Sequence, residues 1–414
     1  MLDIKFIREN TSEVKKMLKA RHKDIDLAPI IRLDEDRRIF LQKVDNLRTE
    51  RNKVATIKPT PEVIEKGKKI KDEIKVLETQ LDGVVKELDE KLSWVPNLID
   101  PSVPEGKDES ENKVIRKWGE PKKFDFEPLD HVELGKRLDI IDVECAARMS
   151  GPRMGILKNE GVLLQFGLVE LLMKFLIGQG FQPVIPPALV KERVMWGAGY
   201  FPSARAGFYK LENEELYLAG TAEHPLSAMH EDETLEEDKL PIRYAGYSTS
   251  FRTEVGSYGR DVRGILRVHQ FDKMEQFIFC RPEDSNNELE KTVENNEWLL
   301  QKLEIPYQVV ALCTGDLGTV AAKTFDTEAW IPSQKTYREL MSASNCTDYQ
   351  SRRLNTKYRT KDGKSIFVHT VNDTAAAIGR LLIAIIENYQ QKDGSVAVPE
   401  VLQHYVGKKV ITPK

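Results

Sequence analysis

The chain has 414 residues, 40% of them hydrophobic and 31% charged, which supplies apolar material for more than one core. Its formal net charge of -4 excludes a global attraction for nucleic acid, so any phosphate contact has to come from local basic patches. Cys145, Cys280, Cys313 and Cys346 lie far apart without CxxC spacing, and the histidines show no HxxxH pattern, so a reduced intracellular protein without a structural metal is expected. The opening MLDIKFIREN is charged from the start, and the longest apolar helix, read at 375–386, is short and interrupted by Arg380. Neither a secretory signal nor a membrane span is therefore expected.

In chain order, a helical opening at 3–21 leads into a heptad pattern in which Leu33, Phe40, Leu47 and Val54 recur, with Ile30 and Val44 at companion positions. Pro59 and Pro61 break that helix, and the period returns as Val63, Ile70, Leu77 and Val84, interleaved with Ile74, Leu81 and Leu88. So short a connection predicts two antiparallel helices of roughly 30 residues each, about 45 Å long at 1.5 Å per residue, forming an arm that projects into solvent. Around its tip, Arg48, Arg51, Lys53, Lys58, Lys66, Lys68, Lys69, Lys71 and Lys75 outnumber Glu50, Glu62, Glu65, Asp72 and Glu73. A basic tip on a balanced chain suits phosphate contacts, and a purely structural or dimerising coiled coil fits the same heptads.

Trp94 to Asn97 close the arm, and the polar, proline-containing stretch to Gly119 reads as a linker. Helical spacing of apolar residues resumes at 160–180 and stops before the extended, proline-rich FQPVIPPALV. A short strand then leads from Tyr217 to a turn carrying Thr221 and Glu223, whose hydroxyl and carboxyl either cap the local backbone or line a small-ligand pocket. The segments 242–254 and 271–280 are aromatic-rich and predict a hairpin, with Gly256, Ser257, Gly259 and Asp261 as turn formers between them. Alternation puts Arg252 and Glu254 on one face and Lys273 and Glu275 on one face of the returning strand. Such a surface is either a solvated face with cross-strand ion pairs or a site for a ligand carrying both phosphate and ammonium. Beyond it, 284–301 reads as an amphipathic helix, 305–313 as a strand, and 329–353 as a strand followed by a polar loop carrying Glu339 and Ser342. The helix at 375–386 is apolar nearly all round, so Arg380 within it needs an anionic partner, either a structural carboxylate or a ligand phosphate.

SFRTEVGSYGRDVRGILRVHQFDKMEQFIFC, at 250–280, resembles motif 2 of the class II aminoacyl-tRNA synthetases. Gly180, Phe181 and Pro187 are similar to motif 1 (180–187), and VNDTAAAIGRLLIAIIENYQ is similar to motif 3 (372–390). With the Thr221-Ala222-Glu223 turn and the basic arm, the pattern over essentially the whole chain resembles the seryl-tRNA synthetases.

The resemblance implies an α+β fold: an antiparallel-sheet catalytic domain at 99–414 and a tRNA-binding domain with a two-helix coiled-coil arm at 1–98. It implies a cytoplasmic homodimer that activates L-serine with ATP and Mg²⁺ and charges tRNA(Ser), with tRNA(Sec) as a second candidate. By the same resemblance Arg252 and Arg380 are catalytic, and Thr221, Glu223, Arg252, Glu275, Asn372 and Thr374 hold serine. ATP falls to Arg252, Thr253, Glu254, Val268, Phe271, Glu339, Leu340, Met341, Ser342 and Arg380, with Glu339 and Ser342 on Mg²⁺. Arg48, Arg51, Lys53, Lys68 and Lys69 would grip tRNA. Two residues depart from the family pattern, Asp373 beside the expected serine pocket and His224 where an aliphatic residue is common, and no cysteine and histidine cluster marks the zinc-dependent form. The alternatives are a paralogue that charges a carrier protein, which would lack the basic arm, and a non-catalytic RNA-binding protein, against which Arg252, Glu275, Glu339 and Arg380 argue.

Overall fold

The computed structural model describes residues 1–255 and 263–414, so the turn formers Gly256, Ser257, Gly259 and Asp261 lie outside the described residues. The chain divides into two compact units, Met1–Leu98 and Ile99–Lys414. In the first, the helical opening is two helices, α1 (Ile4–Glu9) and α2 (Thr11–Ala20), followed by α3 (Ala28–Ala55) and α4 (Pro61–Leu92). Thr60 starts α4 by accepting a hydrogen bond from the Val63 amide, and Pro61 occupies the first turn, where a missing N–H costs nothing. Val44, Val54, Ile70 and Ile74 form a narrow buried seam between the two long helices, flanked by Leu47, Val63 and Leu77. Ile30, Asp34, Leu88 and Leu92 are buried as well, and the other side chains of the pair are half-buried or exposed.

The second unit is built on an eight-stranded sheet comprising β1 (Lys113–Trp118), β2 (Gln182–Val184), β3 (Ile242–Phe251), β4 (Gln270–Cys280), β5 (Tyr307–Ala311), β6 (Lys323–Ile331), β7 (Thr336–Thr347) and β8 (His369–Ala377). Their order is β1-β5-β6-β7-β8-β4-β3-β2, antiparallel throughout except for the β2–β3 edge pair. The hairpin β3–β4 pairs Gly246 with Glu275 and Ser248 with Lys273. Helices α5 (Glu160–Gly178), α7 (Ser285–Lys302) and α9 (Ile378–Asn388), with the short α6 (Glu223–Ser227) and α8 (Tyr349–Leu354), complete the elements that matter for the site.

Four expectations change. The stretch to Gly119 is not all linker, because β1 pairs with β5 and Trp118 stacks on Tyr307 at 5.9 Å; its mostly exposed edge position hides it from a hydrophobic pattern. The segment 336–347 is one continuous strand followed by helix α8, so Glu339 and Ser342 sit on a strand rather than in a loop. Residues 375–377 finish β8, and α9 begins at Ile378.

The longest apolar helix is α5. By length and a mean hydropathy of 1.7 it could cross a membrane, yet Leu164, Leu168, Leu172 and Leu176 are buried in the main core.

Candidate active site

The central strands form one wall of a cavity of about 520 Å³, a size suited to a small-molecule ligand. Strand alternation decides which side chains reach it. On β4, Phe271, Lys273 and Glu275 line the cavity, while Met274 is core and Gln276 turns to the helix α7 behind the sheet. On β8, Asn372 and Thr374 face the cavity and Asp373 points away, accepting from Gln276 Nε2 at 2.7 Å and Asn296 Nδ2 at 3.0 Å. Burial pushes Asp373 well above the usual carboxylate range. Its acidic character therefore belongs to the support behind the sheet.

Two bulges correct the alternation. Glu339 pairs with Glu328 and Met341 with Thr327, which leaves Leu340 as an extra residue and brings Glu339, Leu340 and Ser342 to the same cavity despite their odd spacing. A matching shift at Ala375, between the Thr374–Glu275 and Ala376–Met274 pairs, puts Thr374 and Ala377 together on the wall.

Part of the cavity wall is a buried charged cluster. Lys273 Nζ lies 2.5 Å from Glu275 Oε2 and donates to Thr221 Oγ1 at 3.0 Å, and that hydroxyl donates to Glu275 Oε2 at 2.9 Å. Glu223 starts α6 fully inside the fold, accepting from Tyr200 Oη at 2.7 Å and from Gln350 Nε2 at 2.9 Å. Burial, then the neighbouring Glu275 charge, push Glu223 up to about 7. Arg252 follows β3, donates from Nε to the Gly220 carbonyl at 3.1 Å and lies over the Phe271 ring at 5.3 Å; it has no carboxylate partner among the described residues. Its remaining guanidinium donors are available to an anion.

At the other end, Arg380 is not enclosed in the interior. Its side chain is 26% exposed at the start of α9, donates to the Glu339 carbonyl at 2.7 Å and approaches the Glu339 carboxylate at 3.4 Å, so it lines the cavity. Glu254, with Val268 near it on the wall, takes a left-handed φ of 51° and ion-pairs with Arg267. It therefore reaches the cavity from the end of the hairpin and not from a regular strand face.

The structure brings Glu223, Arg252, Glu254, Val268, Phe271, Glu275, Glu339, Leu340, Ser342, Asn372, Thr374 and Arg380 onto one wall system and leaves three expected residues off it. Thr221 is fully buried behind Lys273 and Glu275 and acts on the cavity through them. Thr253 turns away to donate to the Ala206 carbonyl at 2.7 Å, and Met341 is core because the bulge sends it through the sheet.

Lys273, Tyr200 and Gln350 received no role from the sequence. Alternation with Glu275 was a signal for Lys273. Nothing local marks Tyr200 or Gln350, whose contacts to Glu223 span 23 and 127 residues.

The Seryl-tRNA synthetase N-terminal domain model matches residues 1–99, and the tRNA synthetase class II core domain (G, H, P, S and T) model matches 209–389. A serine–tRNA ligase of Dictyoglomus turgidum is 45% identical over 424 residues, covering 100% of each chain. Seryl-tRNA synthetase from Pyrococcus horikoshii complexed with ATP superimposes with a TM-score of 0.91 at 43% identity over 100% of both chains. The cytoplasmic serine–tRNA ligase from Naegleria fowleri in complex with AMP gives 0.87 at 35% identity, over 100% of this chain and 99% of that one. Likeness of this extent, through the arm as well as the core, does not favour a carrier-protein paralogue or a non-catalytic RNA-binding protein. The chain belongs to the seryl-tRNA synthetase family of class II aminoacyl-tRNA synthetases.

Proposed function

We infer that the chain is a serine–tRNA ligase that activates L-serine with ATP and transfers it to tRNA(Ser). The observation that carries the reading is the buried Lys273–Glu275 pair on the cavity wall, backed by Thr221, together with Arg252 on the same wall, whose guanidinium has no carboxylate partner among the described residues. Glu275 receives the serine ammonium and hydroxyl, Glu223, Asn372 and Thr374 close the pocket, and Arg252 spans the serine carboxylate and the ATP α-phosphate. Phe271, Glu254, Val268 and Leu340 hold the adenosine end, and Arg380 takes the terminal phosphate. The serine carboxylate attacks the α-phosphorus, giving seryl-adenylate and pyrophosphate; the terminal tRNA ribose hydroxyl then attacks the acyl carbon and AMP leaves. Positioning and charge neutralisation carry both steps, with Arg252 meeting charge as it builds on the phosphate.

Glu339 and Ser342 present hard oxygen donors on one side of the bulged strand. Because no group of three or more metal-binding side chains occurs among the described residues, a metal held here would complete its shell with phosphate oxygens and water, which is the habit of Mg²⁺. When bound, it would neutralise phosphate charge.

Leu163, Phe166 and Ile177 on α5 and Ile185 in the motif 1 segment are exposed large apolar side chains, which supports a homodimer through this surface. The exposed Arg48, Arg51, Lys53, Lys68 and Lys69 are assigned to tRNA phosphates, and the working compartment is the cytoplasm.

Pyrophosphate exchange with serine, alanine and threonine tests the reading. Alanine would leave buried polar groups unpaired, so exchange with it should be at least ~100-fold weaker than with serine. Equal exchange with alanine or threonine would overturn the assignment.

A further inference from the structure

His224 is wholly buried, and it stands directly after Glu223 at a position where nothing in the reaction asks for an imidazole. Its ring is held edge-to-face against Tyr200 at 4.3 Å and Phe208 at 5.2 Å. The Gly220 amide donates to His224 Nδ1 at 3.3 Å. A backbone N–H can only donate, so Nδ1 is the bare nitrogen and the ring proton sits on Nε2. Nε2 has no hydrogen-bond partner among the described residues. Burial, then the nearby Arg252 and Lys273 charges, hold the imidazole well below its ordinary pKa, so the ring stays neutral and keeps its Nδ1 lone pair. An aliphatic side chain would fill the space without burying an unpaired donor, so the Nδ1 contact is what distinguishes histidine here.

That contact leads to Arg252. Gly220 uses its amide on His224 and its carbonyl on Arg252 Nε, the latter at 3.1 Å. The preceding carbonyl, Ala219, accepts from the Phe251 amide at 2.9 Å, so the short segment before Thr221 is stitched to the end of β3 on one side and to His224 on the other. Gly220 has no freedom to be anything larger, since a Cβ there would meet the Phe208 ring at 2.4 Å. The Gly220 carbonyl is the one hydrogen-bond acceptor of the Arg252 side chain among the described residues; it lies in the peptide plane after the one that carries the Gly220 amide, so the two contacts are joined through the Gly220 Cα, and a glycine whose amide is released is freer to turn its carbonyl.

We propose that His224 is a positioning residue for serine activation, holding Gly220 by its amide so that the carbonyl of the same residue keeps the Arg252 guanidinium aimed at the reacting phosphate. The inference rests on the assignment of Arg252 to that phosphate. A misaimed guanidinium still attracts ATP and serine but meets the building charge poorly, so the loss falls on kcat and little on KM.

The test is a set of five proteins assayed by serine-dependent pyrophosphate exchange: the parent, His224→Leu, His224→Asn, Arg252→Ala and the double variant His224→Leu/Arg252→Ala. His224→Leu should lower kcat by ~10-fold or more, with both KM values within ~3-fold of the parent. The asparagine amide oxygen stands about where Nδ1 does, so His224→Asn should recover kcat to within ~3-fold. Arg252→Ala should fall ~100-fold, and adding His224→Leu to it should change nothing beyond ~2-fold, because the histidine then has nothing left to aim.

Parent kcat in His224→Leu, a fall in His224→Asn equal to that in His224→Leu, or a further full loss in the double variant would each overturn the inference while leaving the Arg252 assignment standing. Parent kcat in Arg252→Ala would overturn both. Should the leucine variant not fold, His224→Gln replaces it, since its amide reaches the Nε2 position and not Nδ1, and the same loss is expected.

Discussion

The long helical pair and the catalytic sheet use charge in opposite ways. On the pair, most charged side chains lie outside a thin apolar seam, and ion pairs such as Arg48 with Glu78 at 2.8 Å and Lys69 with Glu65 at 3.1 Å are solvent-exposed and individually worth little, the buried Asp34, held by Arg37 at 2.6 Å, being the exception near the start of α3. In the sheet, Lys273 and Glu275 are paired almost without exposure, so removing either would leave the other buried without its opposite charge. A substitution on the helical pair should therefore change binding and spare the fold. In the cluster, function and stability change together.

The largest expected effect separates chemistry from packing within the sheet. Arg252→Ala should lower serine-dependent pyrophosphate exchange by at least ~100-fold, the scale for one group that stabilises transition-state charge, with little change in thermal midpoint because Arg252 is half-buried and has no carboxylate partner among the described residues. A loss of stability matching the loss of activity would place Arg252 with the buried cluster instead.

Glu275→Gln should show the opposite coupling. It leaves the Lys273 ammonium buried without its carboxylate, so serine KM should rise by roughly 10-fold or more, ATP KM should hold, and stability should fall by about 3 kcal/mol. A collapse of ATP affinity with serine affinity unchanged would mean that the pocket is misplaced.

A smaller effect comes from Glu223, whose pKa is raised from 4.5 to about 7 by burial and by Glu275. Between those two values the folded chain binds more protons than the unfolded one, so the contribution of Glu223 to stability is present below the window and is lost as pH rises through it. Glu223→Gln removes that dependence. Its thermal midpoint relative to the parent, measured without ligands, should rise between about pH 5 and pH 8 by the equivalent of roughly 2 kcal/mol. A flat difference across that range would show that the charge is accommodated more easily than its burial suggests.

The same contrast explains what the sequence made legible. Heptads report a two-helix seam directly, because one period governs the whole element, and the long helices run 28 and 32 residues against the roughly 30 expected. The β3–β4 hairpin was equally readable from its alternation, and with it Glu275 and Lys273. The bulges at Leu340 and Ala375 were not, since an extra residue leaves no mark in composition. Met341 consequently looked like a neighbour of Ser342 on the wall when it lies on the other side of the sheet. Asp373 was puzzling only while its direction was unknown; one residue of alternation carries it from the pocket to Gln276 and Asn296. Tyr200 and Gln350 depend on contacts made by the completed fold, for which no local pattern exists.

The proposed division of labour gives serine selection and activation to the sheet and tRNA alone to the exposed basic residues of the helical pair. Replacing Arg48, Arg51, Lys53, Lys68 and Lys69 together with alanine, and assaying pyrophosphate exchange beside aminoacylation, tests it most directly. Exchange should stay within ~2-fold of the parent. Aminoacylation at sub-saturating tRNA should fall ~10-fold or more, and the salt dependence of tRNA binding should become shallower as fewer counterions are released. Parent-level aminoacylation would make the pair a structural coiled coil, and loss of exchange would show that the two units do not divide the work.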